Sequence, residues 1–126
     1  LVDDLMRKVK PTKKDQFYVL DIIDYELHLA GSANRNYKIY WDPSLKRRTY
    51  DKNNEKAIYL NERSITTEEL SQKEVKLPES FYLIVVDRIK EERAVKALEK
   101  SGYSLERCFK AENSYGKMSA IKFLKE

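Results

Sequence analysis

Over the first ten residues the apolar side chains fall at Leu1, Val2, Leu5, Met6 and Val9, with polar residues between them. That spacing draws one apolar stripe along a helix, and Pro11 closes it. A polar connector, 12–15, leads to Gln16–Ile23, an apolar run rich in β-branched and aromatic residues that predicts a buried strand. Asp24 suits the N-cap of a helix from Tyr25 to about Ala33, with Leu27 and Ala30 turned inward. The aromatic stretch Tyr37–Trp41 predicts a second strand. Residues 42–56 show no period and contain Asp-Pro and Asn-Asn, so they read as a loop. Ala57–Leu60 reads as a short strand. Thr66 or Thr67, with Glu68 and Glu69 behind it, suits a capping box on a short helix.

The last third has the plainest pattern. Phe81–Val86 is continuously apolar and is closed by Asp87-Arg88. A helix over Glu91–Lys100 would place Ile89, Ala94, Val95 and Leu98 on one face, with Gly102 as its terminating glycine. Tyr103–Ala111 and Met118–Leu124 then read as two strands joined by a turn at Asn113-Ser114-Tyr115-Gly116. Strands alternating with helices predict an α/β fold: a mainly parallel sheet with helices on both faces and an antiparallel edge hairpin at the C-terminus. The arrangement is Rossmann-like without a dinucleotide motif.

With 126 residues, the chain is the size of one domain, 1–126. The helical pattern is already under way at Leu1, where no initiator Met stands, so the domain reads as a piece of a longer protein. Charged residues make up 37% of the chain, yet the net charge is only +4, so the charges interleave and demand no nucleic-acid partner.

Composition narrows the chemistry. One histidine, His28, and one cysteine, Cys108, are too few for a zinc site or a thiol–imidazole pair. His28 reads as a helix-surface residue and Cys108 as a packed thiol. Three glycines, at 31, 102 and 116, cannot write a phosphate-binding glycine loop. No cofactor or metal is expected, and no catalytic residue can be named.

Two groups of candidate ligand-binding residues are left. In open α/β sheets ligands bind beyond the carboxyl ends of the strands. Asp24, Asp87 and Arg88 would meet on that edge, either as caps and turn residues or as a polar cleft for a sugar, phosphate or cation. The second group is Lys46, Arg47 and Arg48 with Tyr50 and Lys52, near Tyr40 and Trp41. It is either a solvated loop anchored by aromatics or a surface for nucleic acid, an anionic membrane or a phosphorylated ligand.

Several local strings carry a resemblance. A helix over Leu5–Lys10 and a Lys-Pro connector at Pro11 precede Asp15-Gln16-Phe17-Tyr18-Val19, and a helical stretch follows over Asp24–Asn34. Near the end, the strand Tyr82–Val86 is followed by a helix, by Gly102-Tyr103-Ser104-Leu105 and by a final hairpin. In this order the chain is similar to the soluble domain after the last membrane helix of polytopic glycosyltransferases that use lipid-linked sugars. These are relatives of the dolichyl-phosphate-mannose protein mannosyltransferases and the lipid A aminoarabinose transferases. Residues 42–56 have no counterpart in that pattern. The family's catalytic acid lies in its first extramembrane loop, to which no position here corresponds. The resemblance therefore implies a non-catalytic accessory domain on the extramembrane side of a glycosyltransferase, with the parent's membrane domain or a lipid-linked sugar as partner. Two other readings stay open: a cytoplasmic nucleic-acid-binding module using 46–52, and a small enzyme using Asp24, Asp87 and Arg88.

Overall fold

A computed structural model of the chain describes residues 1–21, 38–50, 53–72, 76–114 and 116–126. Ten elements follow in order: α1 (Val2–Val9), β1 (Gln16–Leu20), β2 (Tyr40–Asp42), β3 (Arg47–Thr49), β4 (Asn61–Ile65), α2 (Thr67–Ser71), β5 (Ser80–Val85), α3 (Arg88–Lys100), β6 (Tyr103–Asn113) and β7 (Gly116–Lys125). Five strands form one sheet in the order β4-β1-β5-β7-β6, and β2 and β3 form a separate two-stranded antiparallel sheet. The fold is mixed α/β.

The large sheet is mixed rather than mainly parallel. β1 runs parallel to both β4 and β5, whereas β7 runs antiparallel to both β5 and β6. The C-terminal hairpin does lie at one edge, and its second strand, β7, inserts next to β5. That insertion follows from composition. Met118, Ala120, Ile121 and Phe123 are all buried, so β7 needs cover from both neighbours, whereas β6 exposes much of its length and takes the edge.

β5 explains the core. Side chains alternate across a strand, and every residue from Phe81 to Val85 is buried. Phe81, Leu83 and Val85 join one apolar cluster with Ala94 and Leu98 of α3 and Leu70 of α2. Tyr82 and Ile84 join another with Val2, Leu5, Met6 and Val9 of α1. The stripe read at the N-terminus is thus the buried face of α1. Lys10 ends that helix in a left-handed conformation (φ 55°), its N–H donating to the Met6 carbonyl at 2.9 Å.

Three expectations need correction. The strand placed at Ala57–Leu60 lies at Asn61–Ile65, where β4 pairs with β1 at the sheet edge and exposes most of its polar side chains. Edge strands tolerate such composition because one flank and much of each face meet water. The 42–56 loop contains β3, so Arg47 and Arg48 stand on a strand. Ile89, expected on the inward face of the helix, is 64% exposed. The predicted helix over Tyr25–Ala33, with its Asp24 cap and His28, lies outside the described residues. Among the described residues, no helix is long and apolar enough to cross a membrane.

The capping box at α2 is present: the Glu69 N–H donates to Thr66 Oγ1 at 3.1 Å and the Thr66 N–H to Glu69 Oε1 at 3.2 Å. Thr66→Ala should cost about 1 kcal/mol, read as a lowered urea midpoint with an unchanged slope. An unchanged midpoint would mean that α2 holds by packing of Leu70 alone.

Candidate functional site

The carboxyl ends of the three parallel strands carry Asp21 after β1, Thr66 and Thr67 after β4, and Asp87 after β5. Asp21 has φ 55°, a left-handed conformation that aspartate tolerates better than most residues. The turn aims its carboxylate at α2: the Thr67 N–H donates to Oδ1 at 2.8 Å and the Thr67 hydroxyl donates to Oδ2. Lys90 Nζ of α3 lies 3.3 Å from Oδ2. Burial by itself would raise this carboxyl. The hydrogen bonds from Thr67 and the Lys90 ammonium outweigh it and hold Asp21 below the usual aspartate value. Asp21 thus ties β1 to both α2 and α3.

Asp87 caps α3. Its Oδ1 accepts from the N–H groups of Ile89 at 2.8 Å and Lys90 at 3.2 Å, satisfying donors that every helix N-terminus leaves open. Arg88 turns toward Glu92, 3.8 Å away on the next turn. Beside them a cleft of about 240 Å³ opens between the end of β5, the start of α3 and the β6–β7 hairpin. Asp87, Arg88, Glu91, Lys110, Glu112 and Lys117 line it, with the buried Ser119 contributing from β7. Lys117 Nζ and Glu112 Oε1 stand 3.6 Å apart. Asp87 and Arg88, adjacent in sequence, both line the cleft, while Asp24, expected beside them, lies outside the described residues. A second recess, of about 430 Å³, lies between α2, the end of α3 and Tyr103.

Cys108 is exposed on β6 rather than packed, with its sulfur 4.0 Å from Glu91 Oε1. Partial burial of the sulfur and the Glu91 carboxylate push the thiol above its ordinary value. Less thiolate makes it a poorer nucleophile. Among the described residues, no group of three or more His, Cys, Asp or Glu side chains is placed to hold a metal ion.

The basic group sits elsewhere, on the β2–β3 hairpin; no residue of 40–48 lines the cleft. Asp42 builds its turn. The buried Asp42 carboxylate accepts from the Ser44 N–H at 2.8 Å, the Leu45 N–H at 3.1 Å and Asn54 Nδ2 at 2.6 Å. Led by the Leu45 N–H, these bonds hold it below the usual aspartate value against burial. Trp41 is only 3% exposed and belongs to the α1 core cluster, so it offers no stacking face to a ligand. Tyr40 leans on Tyr59, with ring centroids 5.6 Å apart. Arg48 Nε binds Asp3 Oδ1 at 2.6 Å and so fastens the hairpin to α1. Of the three cations, Lys46 and Arg47 are exposed and Arg48 is half-buried.

Asp21 is the residue that sequence reasoning passed over in favour of Asp24. Its position directly after a buried strand was a visible signal, but its partners are far away in sequence, at Thr67 and Lys90. No family model, no curated protein and no solved structure matches the chain.

Proposed function

We propose that this chain is a non-catalytic binding domain whose ligand site is the cleft at the carboxyl end of β5, and that it serves as an extramembrane accessory domain of a glycosyltransferase using lipid-linked sugars. The observation that carries the binding reading is the lining of that cleft. Three cations (Arg88, Lys110, Lys117) and three carboxylates (Asp87, Glu91, Glu112) face one space beyond a strand end. Cations bind phosphate oxygens and carboxylates accept from sugar hydroxyls, so the mixture suits a sugar phosphate better than a purely anionic or apolar ligand.

The carboxylates at this edge support binding over proton transfer. Asp87 is occupied with two backbone N–H groups, and Asp21 is held ionised by Thr67 and Lys90. A general acid at neutral pH needs an environment that raises its pKa, the opposite of the one around Asp21. The attachment to a glycosyltransferase rests on the sequence resemblance, and the Rossmann-like layering with helices on both faces of the sheet belongs to the same reading.

The cleft is tested by NMR titration of the 126-residue chain with a hexose 1-phosphate. Shifts should concentrate at Asp87, Arg88, Lys110 and Lys117. Lys117→Gln with Lys110→Gln should weaken binding about tenfold or more, since each lost charge-assisted hydrogen bond is worth about 1.5–3 kcal/mol when desolvated and less at this exposure. Shifts scattered over the surface, or none at millimolar ligand, would remove the cleft from consideration. Turnover in a metal-supplemented activity screen that vanishes in Asp21→Asn or Asp87→Asn would replace binding with catalysis. The attachment is tested separately, by whether apolar spans of about 20 residues precede Leu1 in the full gene product.

A further inference from the structure

We propose that the tip of the β2–β3 hairpin and the last turn of α1 together dock on an anionic lipid bilayer surface. The hairpin turn, Pro43-Ser44-Leu45-Lys46, holds Leu45 outward at 56% exposure. A single exposed leucine is ordinary on a protein surface. This one stands at a rigid tip with cations on its C-terminal side. Asp42 fixes the turn from within, and Lys46 takes a left-handed conformation (φ 54°) with its N–H on the Asp42 carbonyl at 2.8 Å.

The cations come from two elements. Arg7 Nε donates to the Lys46 carbonyl at 2.8 Å, and Asp3 holds Arg48. These contacts set α1, with exposed Arg7 and, at its end, exposed Lys10, beside exposed Lys46 and Arg47, while Lys8 donates to the Lys110 carbonyl of β6. The nearby acids are already engaged: Asp3 by Arg48, Asp4 by Arg7 at 2.6 Å, and Asp42 inside the turn. Among the described residues, neither Lys46 nor Arg47 has an ion-pair partner. The patch is therefore positive where it meets solvent.

An apolar side chain ringed by cations matches the bilayer interface. Leucine enters the headgroup–acyl boundary, while lysine and arginine meet lipid phosphates. A nucleic acid would use the cations but has no use for Leu45. It would also want aromatic platforms at the tip; Trp41 is in the core, Tyr40 packs on Tyr59, and the exposed Tyr50 follows β3 at the end of the hairpin away from Leu45. The bilayer is the occupant that uses every exposed group of the tip.

The inference is independent of the cleft. Loss of lipid binding leaves the sugar phosphate titration unaffected, and the reverse also holds. The test is flotation of the 126-residue chain with vesicles of phosphatidylcholine alone and of phosphatidylcholine mixed with phosphatidylglycerol. Binding is expected to the mixed vesicles only and should weaken with added salt. Lys46→Gln with Arg47→Gln should lower the partition coefficient about 25-fold, at roughly fivefold per cation near an anionic surface. In Leu45→Trp, emission should shift to the blue on vesicles, against the constant background of buried Trp41. Each variant is first checked for an unchanged thermal melt. Three results would overturn the proposal. The first is no flotation with mixed vesicles, and the second is flotation that ignores the double substitution. The third is an emission spectrum of the Leu45→Trp variant unmoved by vesicles while an oligonucleotide binds at the same salt.

Discussion

Leu83→Asp is expected to leave the chain without a cooperative thermal transition, whereas Val86→Asp, three residues on, should melt within about 0.5 kcal/mol of the parent. Leu83 is fully buried at 0% exposure in the middle of β5. That strand is flanked by β1 and β7, and Leu83 sits in the cluster that includes Phe81, Phe123 and Leu98. A carboxylate there meets neither water nor a cation. Burying an unpaired polar group costs several kcal/mol, and more when it is charged, against a total stability of about 5–15 kcal/mol for a domain. The loss of the leucine contacts adds about 2–5 kcal/mol. Val86 belongs to the same apolar run but lies past the strand, 46% exposed at the mouth of the cleft. A cooperative melt in Leu83→Asp would mean that β5 is not the centre of the sheet.

That contrast marks what could be read from the sequence. Features set by near neighbours were legible. The α1 stripe, the Thr66–Glu69 box, the Asp87 cap and the Asn113–Gly116 pair that closes the last hairpin each depend on residues a few positions apart, and the structure has all four. Features set by distant partners were not. β4 is a strand because β1 offers it a parallel ladder, and Asn61-Glu62-Arg63-Ser64 carries no apolar signal of its own. β3 exists because Asp42 folds the chain back and Asp3, 45 positions away from Arg48, fastens it. The same distant contacts redistributed the candidate site. They put Trp41 in the core, Arg48 in an ion pair and Asp21 between two helices. Ile89 is exposed because it lies about 140° around α3 from Ala94 and about 180° from Leu98, on the side turned to solvent.

Asp21→Ala is expected to lose about 2.5–5 kcal/mol at neutral pH and to change how stability responds to acid. Two sources add. The carboxylate accepts two hydrogen bonds from Thr67 and faces Lys90, and hydrogen bonds to a charged group are worth about 1.5–3 kcal/mol. Alanine is also strained at φ 55°, by about 1–2 kcal/mol. Asp21→Asn separates the two, since asparagine accepts the left-handed turn and keeps one carbonyl oxygen while losing the charge. The sign of the pH effect follows from the lowered pKa. A carboxyl held below its unfolded value stabilises fully above that value and loses its contribution as pH falls through the folded one. The stability difference between the parent and Asp21→Asn should therefore stay flat from neutral pH down to the ordinary aspartate range, then shrink with further acidification. Lys90→Gln should remove only about 0.5 kcal/mol, because the ammonium is half-exposed and solvent screens it. Urea titrations of the parent and the three variants at a series of pH values decide the matter. A difference that grows on acidification would mean that folding raises the Asp21 pKa instead of lowering it, the environment of a carboxyl that can act as an acid at the sheet edge, and would count against the binding reading.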